Sequence, residues 1–412
     1  MPFNQPPAPG LIETSTLAIA GGAVCLSFLS ASPIYGSLMI VAGSAGILFQ
    51  ALTFSKFDRI FKSLKLGVND SYPIKKRVSH KDDYDLYEFT LPAGLSIEDF
   101  EKKHTAIEQY IGSRIEFSYG FKNLLIRIYT RELPKTWNYT PVDIKGRVGL
   151  LLGCDRQCNP VSIDLSDGEP HLLIAGETGS GKSTALRSII TNLIVASKVD
   201  LYLVDLKRGA EFNIFRKCLQ VKEFARTEQE AEKLLEGVSN EVDRRYDLFY
   251  ENDCIDIKHY KKKHPDDPMK YQVVVIDEFA DLMYEKESIS LLEGLAQKAR
   301  ACGIHLIIST QRPDARVLSS RIKANVPVVL GLKTMNDTNS RIIIGAAGLE
   351  KLRGSGHGIL LHEGKTTELQ CPLLSADDAI SILKPFYRIE TPKKRKSMFS
   401  GIGGVLFDDS KR

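Results

Sequence analysis

The sequence predicts an α/β fold: a parallel, doubly wound sheet that follows a small α+β module and two membrane-spanning helices. Three observations lead to this prediction. The chain has a long uncharged run near its start, residues 14–55, and then mixes strand-like and helix-like stretches over residues 70–140. From residue 148 onward, apolar runs of strand length alternate with helix-length stretches. That alternation is typical of a sheet whose strands are joined by helices.

The chain has 412 residues, which is long enough for two or three domains. Its 43% hydrophobic and 26% charged content excludes collagen-like, disordered and disulfide-scaffold proteins. The 55 basic and 51 acidic residues give a formal net charge of +4, so the chain does not coat nucleic acid through bulk charge alone. Seven scattered cysteines favour reduced thiols inside a cell.

Residues 1–65 are predicted to form a membrane anchor. The uncharged run would extend about 63 Å as one helix, whereas a bilayer core is only about 30 Å thick. The stretch 30–33 ends in proline and divides the run into two helices at about 14–29 and 34–54. Four basic residues between 56 and 65 follow, so the positive-inside rule places both termini in the cytoplasm. A signal peptide is the alternative for the first segment. We expect a multi-pass protein of the cell membrane.

The soluble part is predicted to contain two folded units and a tail. The α+β module covers residues 70–140, with one helix at 97–110 that starts after Ser96. The larger α/β domain covers residues 148–385, and a basic, flexible tail covers 386–412. In the larger domain, five apolar runs have strand length: 171–175, 201–204, 273–276, 304–308 and 326–330. A helix at 227–250 places its apolar residues, Tyr246 among them, at three- and four-residue spacing on one face.

A glycine-rich loop follows the first of these apolar runs and precedes a helix-forming stretch. It matches G-x-x-x-x-G-K-[ST], a phosphate-binding pattern that depends on this strand and helix context. Backbone N–H groups in such a loop wrap the phosphates of ATP, Lys182 reaches the β and γ oxygens, and the Ser183 hydroxyl is a Mg²⁺ ligand. The predicted nucleotide-binding residues are Gly176, Glu177, Thr178, Gly179, Ser180, Gly181, Lys182, Ser183 and Thr184.

Polar residues end three further apolar runs, where ligands of an open α/β sheet bind. Asp277 is predicted to hold Mg²⁺ through water, and Glu278 to orient and deprotonate the water that attacks ATP. Gln311 is a candidate for contact with the γ-phosphate or with that water. Asp205 has a similar position, and an edge-cap role is the alternative for it.

Four strings, at residues 171–184, 273–283, 295–313 and 322–327, together resemble the FtsK/SpoIIIE DNA translocases. The resemblance runs from about Val148 to Ser375, which is over half of the chain, and includes a glycine-rich turn at 354–358. It implies a hexameric RecA-type ring motor that threads DNA through a central channel and binds ATP between neighbouring subunits. The resemblance thus adds a RecA-like P-loop NTPase motor to the α/β prediction.

The resemblance assigns catalytic roles to Lys182, Glu278 and Gln311. It also implies an arginine that reaches the neighbouring subunit's γ-phosphate. The candidates are Arg300, which lies in the third string, and Arg341, which belongs to a later matching pair, Ser340-Arg341. A structural salt bridge is the alternative for each. Such an arginine is generally worth roughly 10³ to 10⁵ in turnover.

The layout differs from that of chromosome-segregating members of the family. Residues 376–412 are too few for a C-terminal winged-helix module, and no long linker follows the membrane segment. The remaining layout resembles the compact coupling proteins of conjugative plasmids and integrative elements in Gram-positive bacteria. We therefore predict a bacterial membrane ATPase that moves DNA toward a transfer channel, with a relaxase and channel proteins as partners. The alternatives are duplex DNA translocation for partition or transfer, an ATPase for protein secretion, and a nucleotide-binding regulator without transport.

Basic residues near the matching strings are the candidates for DNA contact. Phosphate contacts of this kind carry no sequence information, so the sequence does not distinguish single-stranded from double-stranded DNA. Bracing of the sheet is the alternative role for these side chains. The candidates are Arg312, Arg316, Arg321, Lys323 and Lys333, with a tail cluster at 393–396 for DNA or acidic lipid.

Overall fold

The structure is a computed structural model that describes residues 56–82, 84–120, 123–282, 286–314 and 318–388. The two predicted membrane helices, Arg316 and the basic cluster at 393–396 lie outside these described residues. Within the described ranges, no helix combines the length and the apolar character that crossing a bilayer requires. The chain divides into two compact units, with the boundary between Pro134 and Lys135.

The first unit is a four-stranded antiparallel sheet with helices. Helical residues 56–63 come first, and the sheet has the strand order β1-β2-β4-β3. Its elements in chain order are β1 (Ile74–His80), β2 (Tyr84–Thr90), α1 (Ile97–Glu101), α2 (His104–Ile111), β3 (Ile115–Gly120) and β4 (Asn123–Tyr129). The helix predicted at 97–110 is thus two short helices. The Asp99 carboxylate accepts from the backbone N–H of Ser96 at 2.9 Å, which satisfies a donor at the start of α1.

The core of this unit is aromatic and begins earlier than the predicted residue 70. Phe57 and Phe61 are buried, and the Phe61 ring contacts the edges of Phe89 and Phe100 at centroid distances of 5.2 and 5.9 Å. Residues that the sequence analysis placed beside the membrane segment therefore belong to a folded domain. A soluble fragment that began near residue 70 would lack part of this core.

The second unit is built on a ten-stranded sheet with the order β10-β9-β11-β12-β8-β13-β14-β15-β6-β7. The strands of this unit, ten of which form the sheet, are β5 (Trp137–Asn138), β6 (Gly149–Cys154), β7 (Pro160–Asp164), β8 (Leu172–Ala175), β9 (Val199–Val204), β10 (Val221–Ala225), β11 (Tyr271–Ile276), β12 (Ile304–Thr310), β13 (Val328–Leu332), β14 (His357–His362), β15 (Lys365–Gln370) and β16 (Pro372–Leu373). Strands β5 and β16 form a separate parallel pair.

The helices of this unit lie mostly in the connections between its strands. They are α3 (Lys182–Ala196), α4 (Glu228–Glu251), α5 (Ile257–Lys263), α6 (Phe279–Leu282), α7 (Lys286–Lys298), α8 (Ser320–Asn325), α9 (Asp337–Ile344) and α10 (Ala376–Leu383), with 3₁₀ turns at Asn213–Phe215, Leu349–Lys351 and Lys384–Phe386. The predicted α/β fold with a large sheet is therefore present in this unit.

The sheet is mixed rather than wholly parallel. The strands from β10 to β13 in the sheet order pair in parallel, whereas β14, β15, β6 and β7 extend the sheet in antiparallel fashion. The two-residue turn between β14 and β15, Glu363-Gly364, explains part of this arrangement. Both residues have positive φ, +50° and +69°, as a tight hairpin turn requires. A parallel connection would need a much longer crossover.

Register brings the carboxyl ends of the central strands to one edge. Ile276 of β11 pairs with Val204 of β9 and with Ile308 of β12, and Ala175 of β8 pairs with Thr310. The residues that follow these positions, including the glycine-rich loop and Asp277, therefore lie along the same edge of the sheet.

The long helix α4 agrees with the predicted 227–250 segment except on one point. Thr227 accepts from the backbone N–H of Glu230 and caps the helix N-terminus. Tyr246, expected on the buried face, is exposed, whereas Arg245 is almost fully buried. The Arg245 guanidinium donates to Glu241 and to the carbonyl oxygens of Lys270 and Cys302. Those bonds offset the cost of burying a charge.

Candidate nucleotide-binding and catalytic site

The glycine-rich loop lies between β8 and α3 and is fixed to the neighbouring strand ends. The backbone N–H of Gly176 donates to the Thr310 carbonyl at 3.2 Å, and that of Glu177 donates to the Lys333 carbonyl at 2.9 Å. Gly179 and Gly181 have φ values of +81° and +104°, a region in which only glycine is comfortable. Helix α3 starts at Lys182, so the loop ends at a helix N-terminus.

A second glycine-rich segment, the turn at 354–356, is hydrogen-bonded to the loop. The backbone N–H of Gly356 donates to the Ser180 carbonyl at 2.7 Å. A Cβ atom added at Gly181 would lie 2.4 Å from the Gly356 nitrogen, which is closer than real contacts allow. Gly181 is therefore required both by its φ and by this close approach. The turn that the sequence analysis matched at 354–358 thus helps to shape the phosphate-binding loop.

The loop and its surroundings fit a nucleotide with Mg²⁺. The Ser180 hydroxyl is buried and finds no hydrogen-bond partner among the described residues. The positive φ values and the helix N-terminus suit phosphate oxygens. Ser183 and Asp277 offer hydroxyl and carboxylate oxygens, the ligand type that Mg²⁺ prefers.

Lys182 connects the loop to the acidic pair at the end of β11. Its ammonium group donates to the Asp277 carbonyl at 2.7 Å, to the Asp277 carboxylate at 3.2 Å and to the Ser309 hydroxyl at 3.1 Å. Its Nζ also lies 3.9 Å from the Glu278 carboxylate. Lys182 is 4% exposed and Asp277 is 1% exposed. The structure thus brings the predicted phosphate-binding lysine and the predicted metal ligand into one buried cluster.

Glu278 is held by the end of the next strand, β12. Its Oε1 accepts from the Thr310 hydroxyl at 2.8 Å, and its Oε2 accepts from the backbone N–H of Gln311 at 3.1 Å. Gln311 also bonds to the loop, because its side-chain oxygen accepts from the Thr178 hydroxyl at 2.9 Å. Gln311 therefore contacts both the phosphate-binding loop and the predicted general base.

Lys207 is a site residue that the sequence analysis missed. Its ammonium group donates to the second carboxylate oxygen of Asp277 at 3.1 Å, so each oxygen of this carboxylate faces a lysine. Burial alone would lower the pKa of Lys207, but the nearby carboxylates, above all Asp277, together outweigh it and the pKa is raised. Asp205 positions this lysine: its carboxylate accepts from the backbone N–H groups of Lys207, Glu211 and Phe212 at 2.8–3.1 Å. The structure therefore favours the capping role for Asp205.

Among the described residues, neither candidate arginine forms an ion pair with Asp277 or Glu278. Arg341 is on α9, is exposed, and has its Nε 3.7 Å from the Asp337 carboxylate. Arg300 is exposed and precedes β12, at the opposite end of that strand from Gln311. A role toward a neighbouring subunit therefore stays a prediction for both. Within the described residues, no group of His, Cys, Asp and Glu side chains is arranged to hold a metal ion by itself.

A cavity of about 450 Å³ opens beside the loop. Residues from the loop, including Lys182, Ser183 and Thr184, line it together with Gln311. The rest of the lining comes from Thr136, Glu211, the turn at 355–356 and the segment 370–373. This volume lies in the range of small-molecule sites.

Comparison with known proteins identifies a family domain in the second unit. Residues 140–315 match the FtsK/SpoIIIE family. The chain contains an FtsK/SpoIIIE family domain. The domain is that of the P-loop ATPases, and the resemblance predicted from the four strings is confirmed. The matched residues include the loop, both carboxylates and Gln311.

Two similar curated proteins are DNA translocases. The DNA translocase FtsK of Staphylococcus epidermidis is 36% identical over 272 residues, which is 61% of this chain and 33% of the relative. The DNA translocase SftA of Bacillus subtilis is 40% identical over 233 residues, 53% of this chain and 24% of the relative. The chain thus spans about a third or less of the length of these two relatives.

Solved structures share the fold. The pCW3 conjugation coupling protein TcpA, in a monomer form with ATPγS, has a TM-score of 0.59 and 26% identity, covering 80% of this chain and 98% of that one. The cytoplasmic domain of the type VII secretion ATPase EccC from Thermomonospora curvata has a TM-score of 0.55 at 22% identity, covering 60% of this chain and 32% of that one. At that identity the EccC similarity concerns the fold alone.

Proposed function

We propose that this protein is a membrane-anchored, ATP-driven DNA translocase, and specifically a coupling protein that moves DNA toward a conjugative transfer channel. The observation that carries the proposal is the single cluster formed by Lys182, Asp277, Glu278 and Gln311 at the edge of the sheet. It unites a phosphate-binding lysine, a metal-binding carboxylate, a general base and a polar group that touches both the loop and the base.

Each group of this cluster has a proposed task in ATP hydrolysis. Glu278 takes a proton from the water that attacks the γ-phosphorus, and the bond from that phosphorus to the ADP oxygen breaks. The two hydrogen bonds from Thr310 and Gln311 fix the orientation of the Glu278 carboxylate. Ser183 and Asp277 would hold Mg²⁺, which when bound neutralises charge on the phosphates. Lys207 keeps Asp277 oriented when Lys182 turns toward a phosphate.

DNA as the cargo is supported by the relatives. FtsK and SftA, at 36% and 40% identity, are both named DNA translocases. The coupling-protein task is supported by TcpA, because the similarity covers 98% of that chain. The similarity to a secretion ATPase extends to the fold only, so we propose DNA rather than protein as the cargo. A relaxase and channel proteins would be the partners.

Membrane anchoring is supported by the sequence alone. The uncharged run at 14–55 suits two helices with both termini in the cytoplasm, and the folded units would then lie on the cytoplasmic side of a bacterial membrane. A homo-hexamer is supported by the family resemblance. In such a ring Arg341 or Arg300 would reach the ATP of the next subunit, and the exposure of both side chains is compatible with that role.

The experiment that tests the proposal measures ATP hydrolysis by the full-length chain in detergent micelles, without DNA and with circular single-stranded or double-stranded DNA. We expect DNA to raise turnover, and the more effective form identifies the substrate. Sedimentation of the same sample reports whether the active species is a hexamer. Turnover that neither form of DNA changes would contradict a DNA motor, and a monomeric active species would contradict the ring.

A further inference from the structure

A buried histidine, His357, directly follows the turn at 354–356. We propose that His357 is a positioning residue for ATP binding, because the hydrogen bond that its Nδ1 accepts from the Arg353 backbone holds the turn against the phosphate-binding loop. The inference rests on the proposed ATPase function and deepens it, since it names a residue that acts on the nucleotide through the loop.

The turn is a backbone segment that depends on hydrogen bonds from its surroundings. Gly354, Ser355 and Gly356 have φ values of +88°, +52° and +87° in succession. Such values are unfavourable for Ser355, which has a side chain. Unfavourable backbone conformations persist only where the surrounding structure fixes them. The contacts around the turn therefore decide whether it keeps its shape.

Two backbone N–H groups of the turn donate to the phosphate-binding loop. That of Gly356 donates to the Ser180 carbonyl at 2.7 Å, and that of Ser355 donates to the Gly179 carbonyl at 3.4 Å. Gly179 and Ser180 belong to the stretch of loop whose own N–H groups are expected to bind phosphate oxygens. A turn that changed its shape would therefore also change the position of this stretch.

His357 joins the two ends of the turn. The backbone N–H of Arg353, directly before the turn, donates to Nδ1 of His357, directly after it, at 3.2 Å. The backbone N–H of His357 donates to the Gly354 carbonyl at 3.1 Å. Because a backbone N–H can only donate, Nδ1 is the acceptor and the neutral ring carries its hydrogen on Nε2. The imidazole thus holds the start of the turn close to its end.

Glu368 and Arg156 keep the ring in this orientation. Nε2 of His357 donates to Oε1 of Glu368 at 2.7 Å, and the other oxygen of that carboxylate accepts from the Arg156 guanidinium. His357 pairs with Gln370 across the sheet, so Glu368 lies diagonally opposite on the same face of β15. His357 is 1% exposed. Rotation of the ring would break buried hydrogen bonds, and Nδ1 therefore stays directed at the Arg353 backbone.

The two hydrogen bonds of the imidazole can be removed one at a time. An asparagine at position 357 can place its side-chain oxygen near the position of Nδ1, whereas the longer glutamine can place its amide near the position of Nε2. Only the bond at Nδ1 spans the turn. We therefore expect His357→Asn to bind ATPγS nearly as well as the wild type. His357→Gln and His357→Ala should bind it about tenfold more weakly, since an unpaired buried N–H costs about that much.

The test measures equilibrium binding of ATPγS to the full-length chain in detergent micelles, together with thermal unfolding of the same samples. If His357 only stabilised the fold, the loss of affinity would follow the fall in melting temperature across the variants. His357→Asn and His357→Gln each lose one bond of the ring, so both should melt below the wild type. Only His357→Gln should lose affinity. If His357→Ala does not fold, the comparison of the other two variants still decides.

His362 provides a matched control at the far end of the same strand, β14. Its side chain is 29% exposed, and its Nε2 lies 3.9 Å from the Glu169 carboxylate. His362→Asn and His362→Gln should both bind ATPγS as the wild type does. Equal affinities of His357→Asn and His357→Gln would overturn the inference, whether both match the wild type or both are weakened, as would a loss confined to His357→Asn. A wild-type chain that binds no ATPγS would instead refute the proposed function.

Discussion

Replacing Lys182 by alanine is predicted to destabilise the protein even when no nucleotide is added. The Lys182 ammonium group makes three hydrogen bonds, two of them to Asp277, and both residues are almost fully buried. Removing one partner of a buried ion pair costs about 3–5 kcal/mol, because the remaining charge is left uncompensated. Lys207 still faces Asp277 but is 39% exposed, so we expect a value near the lower limit, about 3 kcal/mol.

Thermal unfolding of the full-length chain measures this effect. A loss of about 3 kcal/mol should lower the melting temperature of a domain of this size by about 6–12 °C. Lys207→Ala is the matched control and should cost less, since its side chain is partly hydrated. The direction in which a second variant changes the stability tests the reasoning. Adding Asp277→Asn to Lys182→Ala removes the stranded charge and should recover part of the stability. The reasoning is refuted if Lys182→Ala melts like the wild type or if the added Asp277→Asn lowers the melting temperature further.

Two further predictions concern catalysis and pH. Glu278→Gln should still bind ATP but hydrolyse it about 10²–10⁴-fold more slowly, because a positioned base contributes that much; hydrolysis near the wild-type rate would remove the base assignment. His171 and His305 are buried, and burial lowers their pKa values to about 3 and about 4, below the ordinary 6.5. The unfolded chain therefore binds more protons than the folded one between about pH 6.5 and 4, so the melting temperature should fall as the pH falls through this range. His305→Gln should flatten that dependence, and an identical curve would contradict the assignment.

The catalytic edge of the sheet could be predicted because its signals are local in sequence. Four apolar residues directly before Asp277 predict a buried parallel strand, and the glycine spacing before Lys182 predicts a tight loop at a helix start. The register of a parallel sheet then brings these strand ends together. No long-range information is needed for that step.

The parts that sequence reasoning missed depend on contacts between distant segments. Lys207 reaches Asp277 only because Asp205 folds the intervening loop. Gly356 is about 175 residues away in sequence from the phosphate-binding loop to which it is hydrogen-bonded. The glycines around it therefore do not show, from the sequence alone, which segment they contact. The sequence signal for Lys207 was its position two residues after Asp205, at the polar end of an apolar run.

The limits of the small domain were also beyond local signals. The helical residues 56–63 follow an uncharged run and carry basic residues, a pattern that indicates the flank of a membrane segment. The same residues include Phe57 and Phe61, whose rings pack against strand and helix residues further along the chain. One stretch thus carries two signals, and only the tertiary contacts reveal the second.

Movement of the protein along DNA is the central claim, and release of streptavidin from end-biotinylated DNA measures it directly. The full-length wild-type chain in detergent micelles would be given ATP with single-stranded or double-stranded DNA, beside the Glu278→Gln variant as a matched control. We predict that the wild type displaces streptavidin from at least one form of DNA and that Glu278→Gln, although it binds ATP, displaces none. ATP hydrolysis by the wild type without displacement from either form would contradict the account.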